Sequence, residues 1–224
     1  MTWKIGVMGG DEFQPGCADA DRALIRATGT TKPKVIIVPT AAAYQSPSKA
    51  ASNGVAYFKK LGADASSLMV LEDTDADDVT LLRPMDSADL IFLTGGDPKH
   101  LLSAINGTVF SLRLRAALER GAVVAGSSAG AMVLGGWMVH QGISKAVGLV
   151  ENVAVLPHHE RSQPSRVAKD LADNIPPRVK VFGIDAMTAC IRGRSGWKVV
   201  GPGKVTTYTA GSWQVYRSGD QFPG

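Results

Sequence analysis

The chain has 224 residues, 45% of them hydrophobic and 20% charged, which suits one globular domain with a full core. Its net charge of +4 is spread thinly, without a basic run or interleaved aromatic residues, so we expect no nucleic-acid partner. Two cysteines, Cys17 and Cys190, do not make a disulfide framework. There is no apolar signal region at the start and no apolar run of membrane-spanning length, so we expect a reduced, cytoplasmic protein without a membrane partner.

Apolar strands alternate with amphipathic helices over the first 125 residues. Strands are predicted at residues 4–8, 35–38, 68–71, 90–93 and 122–125, and helices at 17–28, 48–61, 100–105 and 109–120. This alternation predicts an α/β fold with a parallel sheet and helices on both of its faces. Ligands bind such sheets at the carboxyl ends of the strands, where Gly9-Gly10, Gly95-Gly96 and Gly126 fall. The glycines therefore indicate one functional edge, although their spacing fits neither common nucleotide-phosphate motif.

The second half of the chain is predicted to contain shorter elements. They are a helix at 132–134, an extended piece at 137–139, a strand at 153–156, a helix at 165–174, and strands at 179–184, 188–191, 197–200, 205–208 and 212–216. The last five are mostly separated by glycine turns, so we expect antiparallel strands added to the sheet or packed beside it. No linker, repeat or low-complexity segment interrupts the chain, which predicts a single domain over residues 1–224.

Residues 126–130, Gly-Ser-Ser-Ala-Gly, fit the G-x-S-x-G pattern with Ser128 at its centre. A serine on a sharp strand-to-helix turn needs small neighbours, and glycine tolerates the unusual backbone angles. The amide of Ala129 then lies at a helix N-terminus, beside the serine, where it can donate to a developing oxyanion. The same five residues also fit a tight turn with close helix packing and no chemistry.

A serine nucleophile needs a base, and the chain has four histidines, His100, His140, His158 and His159. Only the tandem pair lies just past a predicted strand, as Ser128 does, so only that pair is expected at the same edge. Neighbouring residues in an extended chain point in opposite directions, so we expect one of the two to face Ser128.

Several motifs occur together in this one chain: the Ser128 turn, Thr94-Gly95-Gly96-Asp97, Gly9-Gly10, Pro39-Thr40-Ala41, the His159 segment and Gly183-Ile184-Asp185. In this combination the chain resembles the serine peptidase family of cyanophycinase and dipeptidase E, over residues 5–209. The resemblance implies a class I glutamine-amidotransferase-like fold, a flavodoxin-like three-layer α/β sandwich with a mainly parallel sheet and C-terminal antiparallel strands.

The resemblance also implies roles for residues of this chain. Ser128 matches the family's nucleophile and His159 its base, and the amides of Gly96 and Ala129 match the oxyanion hole. Substrate binding is assigned to Asp97 and Arg161, and Arg161 or Arg166 can hold an acidic substrate's carboxylate bidentately. The expected partner is a small peptide or amide substrate, with no cofactor and no metal; whether the chain forms a homodimer is left open.

The chain departs from the family pattern at three points. The cyanophycinase branch has glutamate after Gly-Ile-Asp, where this chain has Ala186. It has glutamine where this chain has Pro98, and Asp-Gln where this chain has Pro157-His158. The last two departures argue against cyanophycin as the substrate. The first removes the residue that orients the histidine, which costs on the order of 10⁴-fold in the best-studied serine triad.

Other groups can orient the histidine in place of that glutamate. Asp185, Glu151, His158, a water or a backbone carbonyl are all open, and Asp185 is the residue we place in the catalytic set.

Besides a serine hydrolase of small peptides or amides, which the resemblance implies, two other functions are open. A non-catalytic relative that binds a small ligand at the same edge is favoured by Ala186. An α/β-hydrolase esterase requires the order Ser, acid, His, and only Glu151 lies in the 31-residue gap (159 − 128) between Ser128 and His159. That interval is too short for the strands that fold requires, so we rank the esterase last.

Overall fold

Two β-sheets with helices around them form the part of the chain that this computed structural model describes, residues 4–172, 174–193, 195–209 and 211–223. Its strands are β1 Lys4–Met8, β2 Lys34–Val38, β3 Asp64–Ser67, β4 Leu90–Leu93, β5 Val123–Ser127, β6 Gly135–Val139, β7 Ile143–Lys145, β8 Val150–Leu156, β9 Lys180–Ile184, β10 Ala189–Gly193, β11 Gly196–Val200, β12 Lys204–Thr209, β13 Ser212–Arg217 and β14 Gln221–Phe222. Its α-helices are α1 Ala18–Thr28, α2 Pro47–Lys60, α3 Asp73–Asp77, α4 Pro98–Ile105, α5 Val109–Arg120, α6 Ala129–Leu134 and α7 Pro164–Ala172.

The first sheet has its parallel strands together, in the order β14-β11-β10-β1-β5-β4-β2-β3. Strands β1, β5, β4, β2 and β3 run parallel, and Met8 of β1 is level with Ser127 of β5. Strands β10, β11 and β14 extend the sheet beyond β1 in antiparallel pairing. The predicted α/β fold, with a mainly parallel sheet and C-terminal antiparallel strands, is confirmed.

Both faces of this sheet are covered, because successive strand residues point to opposite sides. In β2, Val35 and Ile37 pack in one buried cluster with Leu24 of α1 and Phe58 of α2. The alternate residues of the strand join a second cluster that includes α4, α5 and α6. This alternation is the reason that a continuous apolar run such as β2 predicts a strand with helices on both sides.

The second sheet has the order β13-β12-β9-β8-β6-β7. Val155 of β8 and Phe182 of β9 belong to the large cluster beneath the first sheet, whereas Val181 and Tyr208 face Ala168 of α7. Both arrangements expected for the C-terminal strands therefore occur, since β10, β11 and β14 join the first sheet and β9, β12 and β13 the second. Strand β9 differs from the expectation because it pairs in parallel with β8.

The strand predicted at residues 68–71 is wrong, because β3 ends at Ser67. Strand β3 is an edge strand in which only Ala65 is buried, so its sequence is mostly polar and lacks a strand signal. Leu68 and Val70 are buried in the core after the strand has ended. The apolar run therefore reflects burial and not strand pairing.

The remaining predicted elements agree with the structure to within a few residues. Strands β7 and β14 were not predicted, because three and two residues are too few for a periodic pattern. The predicted helix at 165–174 corresponds to α7, and residue 173 lies outside the described residues.

Among the described helices, none combines the length and the apolar character needed to cross a membrane.

Candidate active site

Ser128 lies between the end of β5 and the start of α6, with φ 48° and ψ −111°. Backbone angles of this kind cost a non-glycine residue on the order of 1–3 kcal/mol and persist only where the surroundings enforce them. Here the Ser128 amide donates to the carbonyl of Met8 at 3.0 Å. A Cβ on Gly126 would lie 2.4 Å from the backbone of Gly130, so the turn requires a residue without a side chain there.

The Gly95-Gly96 turn after β4 lies against Ser128. A Cβ on Gly95 would be 3.2 Å from the Ser128 Cβ, and one on Gly96 would be 2.1 Å from the carbonyl oxygen of Ala41. The next amide, that of Asp97, donates to that same carbonyl at 2.7 Å, which fixes the turn. The Gly96 amide has no acceptor among the residues that the structure describes.

His158 contacts Ser128. Its Nε2 lies 3.5 Å from the Ser128 Oγ, the outer limit of a hydrogen bond. Catalytic hydrogen bonds without substrate are often this long and shorten when substrate binds. The His158 amide donates to the carbonyl of Gly9 at 2.8 Å, and a Cβ on Gly10 would meet the imidazole at 2.3 Å. The Gly9-Gly10 end of β1 therefore seats the ring.

His159 does not face Ser128, which corrects the expectation from the family pattern. It is 1% exposed, its Nε2 lies 2.7 Å from the hydroxyl of Tyr208, and its ring packs over Gly183. Burial lowers the pKa of His159, although the nearby charge of Asp185 opposes this, which favours the neutral imidazole, whose Nε2 can accept from Tyr208.

The backbone conformation explains why His158 faces Ser128 and His159 does not. His158 has φ 52° and the chain then enters the turn His159–Arg161, so the pair does not continue β8 as an extended segment. One histidine of the pair does face Ser128, as expected, but it is His158, whereas the family pattern assigns the base to His159.

Asp185 does not orient either histidine through a hydrogen bond in the described structure. Its Oδ2 accepts from the amide of Lys204 at 3.0 Å, and its Oδ1 is buried without a partner. The Nδ1 of His158 is also buried without a hydrogen-bond partner among the described residues.

Glu160 lies next to the position where the family has its glutamate. Its Oε2 accepts from the amide of Ala186 at 2.9 Å, and its Oε1 lies 3.3 Å from Nε of Arg161. Partial burial opposes ionisation of Glu160, but the Ala186 amide, its own amide, His158 and Arg161 outweigh it, so the pKa of Glu160 is lowered. An ionised carboxylate therefore stands near His158.

The two predicted substrate-binding side chains have different surroundings. Asp97 accepts from the amides of Lys99 and His100, so its carboxylate caps the N-terminus of α4. Arg161 is 76% exposed. Arg161 and Arg166 line a cleft together with Asp170, and neither Ser128 nor His158 is among its lining residues. Arg161 and Arg166 are thus accessible, whereas Asp97 is already engaged.

One residue beside Ser128 was missed by the sequence reasoning. Glu12, in the loop after β1, accepts from the amide of Gly95 at 2.7 Å and from the hydroxyl of Ser127 at 2.8 Å. The available signal was its position as a polar residue two places beyond Gly9-Gly10, at the carboxyl end of a strand.

The residues gathered here suit acyl transfer, because a serine, an imidazole and an unpaired amide meet at one sheet edge. Within the described ranges, no group of three or more histidine, cysteine, aspartate or glutamate side chains is placed to hold a metal ion.

The chain is similar to known peptidases over nearly its whole length. The sequence model of peptidase family S51 matches residues 7–194. A cyanophycinase of Trichormus variabilis is 27% identical over 216 residues, covering 89% of this chain and 71% of the relative. A cyanophycinase of Geminocystis herdmanii is 28% identical over 219 residues, covering 91% of this chain and 79% of the relative.

Two solved structures are similar to this chain over nearly all of its length. A peptidase from an acI-B1 actinobacterium superposes with a TM-score of 0.88 at 29% identity, covering 100% of this chain and 98% of the other. A putative peptidase E protein from Listeria monocytogenes EGD-e superposes with a TM-score of 0.66 at 14% identity, covering 91% of this chain and all of the other. The second likeness bears on the fold alone.

Proposed function

Because the chain belongs to peptidase family S51, we propose that it is a serine peptidase in which Ser128 is the nucleophile and His158 the general base. The observation that carries this assignment is the 3.5 Å separation of the Ser128 Oγ and the His158 Nε2. The strained backbone of Ser128 supports it, because such strain clusters at functional sites. His158 replaces His159 as the proposed base, since the Nε2 of His159 is occupied by Tyr208.

The reaction we propose is acyl transfer to serine followed by hydrolysis. Ser128 attacks the carbonyl carbon of the scissile amide while His158 takes the hydroxyl proton. The amides of Gly96 and Ala129 hold the oxyanion, and removing one such donor typically costs about 10²–10³ in rate. His158 then gives its proton to the leaving amine, and water releases the acyl group from Ser128.

We assign the charge that stabilises the protonated imidazole to Glu160. The family's glutamate falls on Ala186, and the carboxylate of Glu160 is held at the amide of that residue. Asp185 is a weaker choice, because its carboxylate is bonded to the Lys204 amide and its charge acts on His159.

The substrate we propose is a short peptide or amide that carries a carboxylate near the scissile bond. Arg161 and Arg166 line one cleft in the segment that follows His158 in the chain, and an arginine can bind a carboxylate through two parallel hydrogen bonds. The curated relatives are named cyanophycinases. Pro98 and Pro157 in this chain replace polar residues of that family, so we propose a smaller acidic substrate instead of cyanophycin.

A second candidate function is ligand binding at the same pocket without turnover. Its support is the Nδ1 of His158, which is buried and has no hydrogen-bond partner among the described residues. An imidazole whose tautomer and orientation are not fixed is a poorer catalyst of proton transfer.

A fluorophosphonate probe separates the two functions, because it labels only an activated serine. We expect labelling of the wild type at Ser128 and none of Ser128→Ala, followed by turnover of acidic dipeptides. A folded wild type that neither labels nor hydrolyses any member of a dipeptide panel contradicts the peptidase and supports the binding protein.

A further inference from the structure

We infer that Glu12 is a positioning residue that holds the Gly95-Gly96 turn against the Ser127-Ser128 turn. The inference rests on the proposed function, because these two turns carry the proposed oxyanion donor and the nucleophile. Glu12 does not touch the reacting atoms in this assignment. It acts through the backbone on either side of them.

The contacts of Glu12 join three distant parts of the chain. Its Oε1 accepts from the Gly95 amide at 2.7 Å, and its Oε2 accepts from the Ser127 hydroxyl at 2.8 Å. These partners are 83 and 115 residues away in the sequence. A single carboxylate therefore links the ends of β1, β4 and β5, and its two oxygens match the two donors.

The packing around Gly95 shows how close this link lies to the nucleophile. A Cβ on Gly95 would be 3.0 Å from the Glu12 Oε1 and 3.2 Å from the Ser128 Cβ. The carboxylate, the glycine turn and the serine thus touch at one point. A side chain at residue 95 would push them apart.

The loop that carries Glu12 is strained, which supports a functional role. The residues on either side, Asp11 and Phe13, have φ of 54° and 65°. Both are left-handed conformations that non-glycine residues rarely adopt and that cluster at functional sites. The ring of Phe13 packs against Tyr57, Phe58 and Phe92, and the Sγ of Cys17 donates to the carbonyl of Asp11. The core therefore enforces the conformation that aims Glu12 at the two turns.

The negative charge of Glu12 is not what the reaction needs. A carboxylate close to a developing oxyanion opposes it, so the benefit must come from geometry. Tying the Gly95 amide to Glu12 leaves the next amide, that of Gly96, fixed and without a protein acceptor. A displacement of about 1 Å at such a donor can cost about 10²-fold in rate.

Two substitutions distinguish geometry from charge. Glu12→Ala removes both contacts, whereas Glu12→Gln can accept from the Gly95 amide and donate to the Ser127 hydroxyl without a charge. Asp89→Ala is the matched control. The Oδ2 of Asp89 accepts from the Lys34 amide at 2.8 Å and so links β4 to β2 at the amino-terminal ends of these strands, away from Ser128. For each variant we would measure the rate of fluorophosphonate labelling, kcat and KM on a dipeptide, and amide hydrogen exchange at Gly95.

We expect Glu12→Ala to label about 10²-fold more slowly, with kcat reduced, KM little changed and faster exchange at Gly95. Glu12→Gln should recover most of the rate and the protection, and Asp89→Ala should label at the wild-type rate. Adding Ser127→Ala to Glu12→Ala should slow labelling little further, because Glu12→Ala has already removed the contact with the Ser127 hydroxyl.

The inference is overturned if Glu12→Ala labels as fast as the wild type. It is also overturned if Glu12→Gln loses as much as Glu12→Ala with a raised KM, because Glu12 then binds substrate through its charge. A wild type that does not label removes the proposed function, and hydrogen exchange then decides the role of Glu12. Faster exchange at Gly95 in Glu12→Ala alone supports it, and unchanged exchange overturns it.

Discussion

The hydroxyl of Tyr208 lies 2.7 Å from the Nε2 of His159, and both side chains are buried. Burial raises the pKa of Tyr208 to about 12, with Asp185 acting in the same direction, so the hydroxyl stays protonated and can donate. This contact occupies the Nε2 of His159, which is the ring nitrogen that His158 presents to Ser128. It leaves His158 as the histidine that is open towards Ser128.

Substitution of each histidine by glutamine tests that division of roles. We expect His158→Gln to slow fluorophosphonate labelling by about 10²–10⁴-fold, which is the usual contribution of a general base. His159→Gln should label within about tenfold of the wild type but unfold at a lower temperature, since a buried hydrogen bond contributes on the order of 1 kcal/mol.

Tyr208→Phe is the matched control for His159, because it removes the same hydrogen bond and leaves both imidazoles in place. It should behave like His159→Gln. The assignment is contradicted if His159→Gln, still folded, is unreactive while His158→Gln is labelled.

Gly10→Ala tests the seating of His158. A Cβ at this position would lie 2.3 Å from the imidazole, and the φ of 122° is unfavourable for alanine. We expect the rate of labelling to fall by at least about tenfold, because the added Cβ displaces the imidazole from Ser128. A displacement of about 1 Å is enough to slow such a reaction considerably.

Gly121→Ala separates displacement from backbone strain. Gly121 has a φ of 94° and nothing within 4 Å of the added Cβ, so its replacement should lower stability without changing the labelling rate. Equal labelling rates for both variants would falsify the proposed contact between the end of β1 and His158.

Asp97 is expected to act as a helix cap and not as a substrate ligand. Asp97→Ala removes the acceptor for two amides of α4 and should cost about 1 kcal/mol of unfolding free energy. Asp97→Ser keeps a capping oxygen and should recover most of that stability. Chemical denaturation measures the stability of both variants, and KM for an acidic dipeptide measures substrate binding. A KM raised equally in both variants would show that Asp97 binds substrate.

Asp21 predicts a dependence of stability on pH that is separate from catalysis. Its carboxylate is buried beside the hydroxyl of Tyr57, and burial, which outweighs the lowering effect of that hydroxyl, raises its pKa from 3.8 to about 7. Between these values the folded state binds the proton more tightly than the unfolded state. The stabilising contribution is therefore fully present below pH 3.8 and is lost as pH rises through 7.

The expected slope for this group is at most about 1.4 kcal/mol per pH unit, lost as pH rises. Asp21→Asn should remove this component and be more stable than the wild type at pH 8. The matched control is Asp19→Asn on the same helix, whose side chain is 87% exposed and should leave the slope unchanged. Denaturant titrations at several pH values measure it, and an unchanged slope in Asp21→Asn contradicts the assignment.

The fold could be predicted from the sequence because its central strands are continuous apolar runs. Strands β2, β4 and β5 are buried on both faces, so their sequences carry the signal directly. Strand β3 could not be located in the same way, since an edge strand needs only alternate burial and the apolar residues that follow it serve the core.

The candidate site could be predicted only as far as its backbone. The glycines at residues 10, 95 and 126 mark places where chains approach too closely for a side chain. Gly95 lies against Ser128, Gly10 against the ring of His158, and Gly126 against the start of α6. The choice between two adjacent histidines depends on one left-handed residue, His158, and no pattern of residue types encodes it. Glu12 and Glu160 also escaped prediction, because each acts on residues far away in the chain.

The proposed reacting pair straddles the two sheets. Ser128 follows β5 of the first sheet, and His158 follows β8 of the second, while a Cβ on Gly9 would be only 2.1 Å from the carbonyl oxygen of Asp185 where the sheets meet. The distance between Ser128 and His158 therefore depends on the relative position of the two sheets. Heating that lets one sheet slide by an ångström should abolish labelling while each sheet is still intact, so thermal inactivation should precede the loss of secondary structure.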